Sequence, residues 1–219
     1  SYLKIGYYSQ FFDPEVGAGA KRCYDHALIW AKEGLSVQVW TSFPNFPSGK
    51  LFNGYKTKLA TIDNKYNREG ILVIRNYSII RPNSSPTNRA LLYLSFSGFV
   101  LLNTIRHSRH IKATDIIIGT SGIIFSALSA YIVSKLYNKK FIFEVRDITA
   151  LQMMATNGGK RTISFYIIHF LELYIAKNSD HIITVTDGFK EWFKEQGLSQ
   201  KKITVIPNGV ISSKKKYIP

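Results

Sequence analysis

The chain has 219 residues, enough for one sizeable α/β domain with a well-buried core or for two small ones. A hydrophobic share of 45% excludes a disordered chain, and a lone cysteine, Cys23, excludes an internal disulfide and a thiolate metal cluster and suits a reducing cytoplasm. Its 29 Lys and Arg against 14 Asp and Glu leave +15, which fits a polyanionic partner (nucleic acid, anionic lipid headgroups or a phosphorylated ligand) or a basic surface kept for solubility.

Taken in chain order, strands are expected at Lys4–Tyr8, Val37–Thr41, Ile71–Tyr77, Asp115–Gly119, Lys140–Val145, His181–Val185 and Lys202–Ile206. "DIIIG", "FIFEV" and "HIITV" are short continuous apolar runs, the pattern of strands buried on both faces of a parallel sheet. After the first strand, Ala20, Cys23, Tyr24, Ala27, Leu28 and Ala31 form an apolar stripe at helical spacing, closed by "KEG". Further helices are expected at about 88–109, 123–138, 162–178 and 187–196, with irregular stretches at 43–58, 81–88 and 147–161. Such alternation indicates an α/β fold with a doubly wound, mostly parallel, Rossmann-like sheet. The opening residues lack the layout of a secretory signal.

The stretch "SQFFDPEVGAGAKR" links the first strand to the first helix and sets Gly17 and Gly19 around Ala18. Ligands of doubly wound folds bind at the carboxyl ends of the strands, and a helix start offers bare N–H groups and positive dipole to a phosphate. By itself the pattern also fits a tight turn without a ligand, since it lacks the third glycine of the dinucleotide fingerprint.

Together with "TSFPNFPSGKLFNGY" at 41–55, "FEVRD" at 143–147 and "ITVIPNGV" at 203–210, this stretch resembles the amino-terminal domain of a family 4 glycosyltransferase. The branch it resembles most is that of N-acetylfucosaminyltransferase-like enzymes acting on lipid-linked O-antigen and capsule intermediates. The resemblance implies a GT-B fold, with two Rossmann-like domains facing a cleft. The first domain, here residues 1–210, holds the acceptor; a linker starts at 211–219; the donor-binding domain would follow. The chain is accordingly expected to fold but not to turn over alone.

The same resemblance sets Gly17, Ala18 and Gly19 against the diphosphate of a nucleotide-sugar donor, with Lys21 or Arg22 adding charge. The 41–55 loop would shape the acceptor pocket, with Asn45 and Lys50 as polar contacts, Phe43, Phe46 and Tyr55 for stacking, and Arg81 as a further contact; a self-packed loop is the alternative. Arg146 and Asp147 follow a buried strand and face the cleft by the switch-point rule. Asp147 would orient or deprotonate an acceptor hydroxyl and Arg146 would meet a phosphate, unless the two merely brace the loop. Where many family members carry a His motif, this chain reads "GTSG", so Thr120 and Ser121 stand in its place. A retaining transfer in which the departing phosphate takes the acceptor proton is compatible with that. No His, Cys or acidic grouping has metal-ligand spacing, so neither metal nor cofactor is expected.

Residues 90–105 form a 16-residue uncharged run followed by "RHSRHIK". At 1.5 Å per residue it reaches about 24 Å, short of a bilayer core of about 30 Å. It reads as a buried helix or as one lying in the interface, with Arg106, Arg109 and Lys112 on anionic headgroups. Residues 163–176 are also apolar nearly all round. Both suit a cytoplasmic enzyme held peripherally on the inner face of the plasma membrane, taking a polyprenyl-diphosphate-linked saccharide in surface polysaccharide biosynthesis. The competing reading is a basic Rossmann-like nucleotide- or nucleic-acid-binding module, although no specific nucleic-acid signature is present.

Overall fold

The computed structural model describes residues 2–82 and 84–209. Its centre is an eight-stranded sheet in the order β3-β4-β2-β1-β5-β6-β7-β8. The strands are β1 (Lys4–Tyr8), β2 (Ser36–Ser42), β3 (Ala60–Asp63), β4 (Ile71–Asn76), β5 (Ile116–Thr120), β6 (Lys140–Val145), β7 (His181–Thr184) and β8 (Ile203–Val205). All neighbours pair in parallel except β3, which runs antiparallel along the edge of β4.

Seven α-helices are described beside the sheet, α1 (Ala18–Lys32), α2 (Pro86–Arg106), α3 (Ser108–Lys112), α4 (Ile124–Leu136), α5 (Thr149–Thr156), α6 (Ile163–Asn178) and α7 (Asp187–Glu195), with 3-10 turns at Asn64–Glu69 and Gln200–Lys202. Cys23 and Ala27 of α1 pack with Ile5, Tyr7, Val37, Val39 and Val73 on one face of the sheet. On the other face, Tyr8, Trp40, Ile117, Phe141, Phe143 and Ile182 meet Phe96 and Val100 of α2, Ala127 and Ala130 of α4, Phe165 and Ile168 of α6, and Phe193 of α7. The sheet is thus wound on both faces, as expected. Ser85, Thr162 and Thr186 begin α2, α6 and α7 by accepting a backbone N–H on their hydroxyls.

The chain departs from the sequence expectations at three places. The edge strand β3 was expected as part of no element. The 147–161 stretch, expected to be irregular, contains α5, and the helix expected over 88–109 ends at Arg106, with α3 as a separate turn. No described helix is long and apolar enough to cross a membrane. In α2 the 90–105 run buries Leu92, Phe96 and Val100 while Leu91, Leu94, Leu102 and Ile105 stay exposed, so it is a core helix with an apolar outer side. The expected linker at 211–219 lies outside the described residues.

Candidate functional site: a pocket at the switch point of the sheet

Strand order reverses between β1 and β5: the chain runs outward from β1 through β2 to β4, and from β5 through β6 to β8. The loops leaving neighbouring strands diverge there and open a crevice. A cavity of about 210 Å³ fills it, lined by Ser9–Phe11, Gly17–Ala20, Phe46, Thr120, Gly122, Ile123, Arg146 and Asp147. Residues from chain positions 9 to 147 therefore meet at one point.

One wall is the start of α1. Gly17 precedes it in extended backbone and supplies no capping side chain. The first-turn N–H groups, which have no partner inside a helix, are left without a side-chain cap at the edge of the cavity. A Cβ at Gly17 would meet nothing closer than Phe46 Cε1 at 4.0 Å, so the room beside it belongs to the pocket. Gly19 differs: a Cβ there would collide with Arg146 Nη2. A Cβ on Gly122 would lie 3.4 Å from Arg146 Cζ. The guanidinium thus occupies a slot that Gly19, in the first turn of α1, keeps open, and it lies within ordinary contact distance of Gly122.

Arg146 is held from several sides. Its Nη1 donates to Gly19 O at 3.2 Å and lies 3.5 Å from Cys23 Sγ, and its backbone N–H donates to Ser121 Oγ at 2.9 Å. Ser121 Oγ in turn donates to Asp147 O at 3.1 Å, so this buried serine braces the Arg146–Asp147 turn. Thr120, its neighbour, faces the cavity.

Beneath the guanidinium lies a buried polar cluster centred on Glu144, a lone carboxylate in an apolar strand. Tyr7 Oη donates to Glu144 Oε2 at 2.7 Å, Arg22 Nε to Oε1 at 3.3 Å, and His26 Nδ1 is 3.2 Å from Oε1. Burial opposes ionisation, but the hydrogen bond and charge of His26, the charge of Arg22 and the Tyr7 hydroxyl prevail and hold the carboxyl at about 2. Cys23, read from the helical stripe as a small buried hydrophobe, belongs to this cluster: its sulfur lies 3.1 Å from Ser9 Oγ and 3.4 Å from Tyr7 Oη. Burial raises its thiol pKa.

The opposite wall is tied down by Glu15. Its Oε1 accepts the N–H groups of Asn45 and Phe46 at 2.9 Å each, and Oε2 accepts that of Phe12 at 3.2 Å. The loop after β1 and the loop after β2 are thereby joined through one carboxylate. Burial pushes its pKa up to about 7 against the opposing pull of those three amides. Phe46, placed by this clamp, packs its ring 4.8 Å from that of Phe11 at the pocket's mouth.

The pocket therefore gathers Gly17, Ala18, Gly19, Thr120, Arg146 and Asp147 of the expected site residues, with Ser121 as their brace. Asn45, Lys50, Tyr55 and Arg81 do not line it. Asn45 is buried, with Nδ2 donating to Phe43 O at 2.7 Å. Lys50 and Arg81 are exposed, and Tyr55 donates to Asp63 at 3.1 Å beside the Arg75 guanidinium. Sequence reasoning passed over Gln10, Glu15 and Glu144. Gln10 is buried, lines the cavity, and has neither amide atom hydrogen-bonded among the described residues; Thr120 Oγ1 is likewise without a partner. Two buried polar groups left open beside a cavity are positions for a ligand's hydroxyl or amide.

Comparison with known proteins gives the family and agrees with the fold. The model of Glycosyltransferase Family 4 matches residues 20–214. Among solved structures, the chain is similar to sucrose-phosphate synthase from Thermosynechococcus elongatus, with a TM-score of 0.62 and 13% identity over 95% of this chain and 48% of that one. It is also similar to Anabaena HepE in complex with UDP and glucose (TM-score 0.58, 12% identity, 95% of this chain and 45% of that one). The HepE complex with UDP-glucose gives a TM-score of 0.54 at 13% identity, over 95% and 44%. At such identities the likeness is one of fold, and the chain spans about half the length of these structures. No curated protein shows a significant match by sequence.

Proposed function

The chain belongs to glycosyltransferase family 4, and from that membership we propose that it forms the acceptor-side domain of a retaining transferase using a nucleotide-sugar donor. The observation that carries this reading is the uncapped start of α1 set against the Arg146 guanidinium at the switch point. Both are fixed before any ligand arrives, and both favour negative charge. HepE is described with UDP-glucose and with UDP bound, which supports a donor diphosphate as the anion concerned.

In this reading the diphosphate reaches over from a second domain and rests on the first-turn amides of α1. As the bond from sugar to phosphate breaks, charge gathers on the departing phosphate. Preorganised N–H groups and Arg146 stabilise that charge without reorganising. Asp147 stands beside them and orients the attacking hydroxyl, while the departing phosphate takes its proton. Gln10 and Thr120 hold hydroxyl or amide groups of a sugar, with Phe11 and Phe46 against its face. The acceptor is a polyprenyl-diphosphate-linked saccharide of a surface polysaccharide, taken at the cytoplasmic face of the membrane. N-acetylfucosaminyltransferase-like enzymes remain the branch whose motifs the chain resembles.

The test is transfer by the native polypeptide containing this chain, assayed with a panel of nucleotide sugars and a polyprenyl-diphosphate saccharide. Saturable transfer to the lipid-linked sugar is expected, and its absence with every donor contradicts the reading. Within that assay, Asp147→Asn is expected to lower kcat about tenfold or more. Unchanged turnover removes Asp147 from the mechanism.

A further inference from the structure

A second cavity, of about 510 Å³, adjoins the first and shares Gly122 and Ile123 with it. It runs between the starts of α2, α4 and α6 and along α5. Tyr93, Ile124, Phe125, Met153, Ile167 and Ile168 supply its walls. Arg89 lies at its rim and enters no ion pair among the described residues. Lys160 and Arg161 lie three and two residues before α6, whose first turn lines the groove, and the Arg161 guanidinium sits 5.6 Å from the centre of the Phe165 ring.

The groove does not end at its own lip. Ile167 lines it and is also 55% exposed, and it belongs to a stripe with Ile163, Phe170 and Tyr174 along the outer side of α6. Their spacing of four, three and four residues keeps them on one side of the helix. A hydrocarbon groove, an apolar helix side continuing from it, cations at the junction and a phosphate-type pocket next door match the layout of an amphiphile with a phosphorylated head.

We infer that this groove holds the hydrocarbon chain of a membrane-borne isoprenoid diphosphate, which enters past the outer side of α6. This rests on the proposed transferase reading and assigns the lipid end of its acceptor to α2, α4, α5 and α6. The head meets Arg89, Lys160 and Arg161, and the saccharide it carries extends past Gly122 and Ile123 into the first pocket. The sequence offered two membrane-facing segments, 90–105 with Arg106, Arg109 and Lys112 as headgroup contacts, and 163–176. Those three cations lie at and beyond the carboxyl end of α2, whereas the groove is at its amino end, so the assignment uses the second segment, now α6.

The test is calorimetric binding of geranyl and farnesyl diphosphate, with inorganic diphosphate as the chainless control, to the 219-residue chain and to its Met153→Glu and Ile167→Glu variants. Both substituted side chains are at least partly exposed, and thermal melting establishes that each variant folds. Burying one more isoprenoid unit is expected to tighten binding at least about tenfold from geranyl to farnesyl diphosphate. In both variants that gain disappears while inorganic diphosphate binds as before. Equal affinity for the two chain lengths, or a gain that survives both substitutions, overturns the assignment. Failure of sugar transfer in the native enzyme overturns the transferase reading alone, because this measurement involves no donor and no turnover.

Discussion

At Gly19 the cost of a single methyl group separates folding from function. The atom that an alanine Cβ would strike is Arg146 Nη2, the far end of a flexible side chain, so the protein can give way by moving the guanidinium. Gly19→Ala is expected to lower stability by no more than about 1 kcal/mol, read by chemical denaturation. It is expected at the same time to weaken diphosphate binding about tenfold, because the guanidinium leaves its slot. Glu144→Ala behaves in the opposite sense. It strips the partner from Arg22 and Tyr7 in a buried cluster, and the same denaturation measurement is expected to show a loss of about 3–5 kcal/mol. Of these residues, the glycines were legible in the sequence because small residues between a strand and a helix mark a close approach. What approaches Gly19 was not legible, since Arg146 comes from 127 positions away. Gln10 gave no signal either, because one polar residue after a strand reads as the beginning of a loop.

Among the elements, the strands of the parallel sheet were legible because burial on both faces makes them continuous apolar runs. β3 was not: it has four residues, and Ile62 is the only one of them with a large aliphatic side chain. α5 was missed for a different reason. Ile148 precedes it with no side-chain cap, and the amides of Thr149 and Ala150 are received instead by Glu172 of α6, at 2.5 and 3.0 Å. A start that is capped from another helix leaves no mark in the local sequence. The two loops around the first pocket carry a comparable tertiary device in Glu15, and it makes a pH prediction. The folded pKa of Glu15 lies above its unfolded value, so its contribution is complete below the ordinary carboxylate range and is lost as pH rises through about 7. Glu144 has the reverse sign, contributing above the ordinary range and failing as pH falls toward about 2. Thermal melts of the chain from pH 5 to 8 are expected to show declining stability, with a total of about 3 kcal/mol at stake from Glu15. Glu15→Gln is expected to flatten that decline. A slope unchanged by the substitution places its origin elsewhere.

For the whole molecule, alternating strands and helices and the switch-point rule were enough to give the architecture and to anticipate a cavity at the carboxyl ends of β1, β5 and β6. They were not enough to distribute the roles around it. The 41–55 loop contributes Phe46 to the pocket but turns Asn45 inward and Lys50 outward, because Glu15 fixes the loop's backbone and proline-rich composition says nothing about that anchor. Nor was the apolar groove legible, since its walls come from four helices, one of them unforeseen. The central claim is that the start of α1 and Arg146 form a preorganised anion site. Its most direct test is an NMR titration of the 219-residue chain with inorganic diphosphate at low ionic strength, where screening is weakest. The backbone amides of Ala18 and Gly19 and the Arg146 side-chain resonance are predicted to shift together along one saturating curve. Resonances there that stay fixed while diphosphate is bound elsewhere, or not bound at all, would contradict the account.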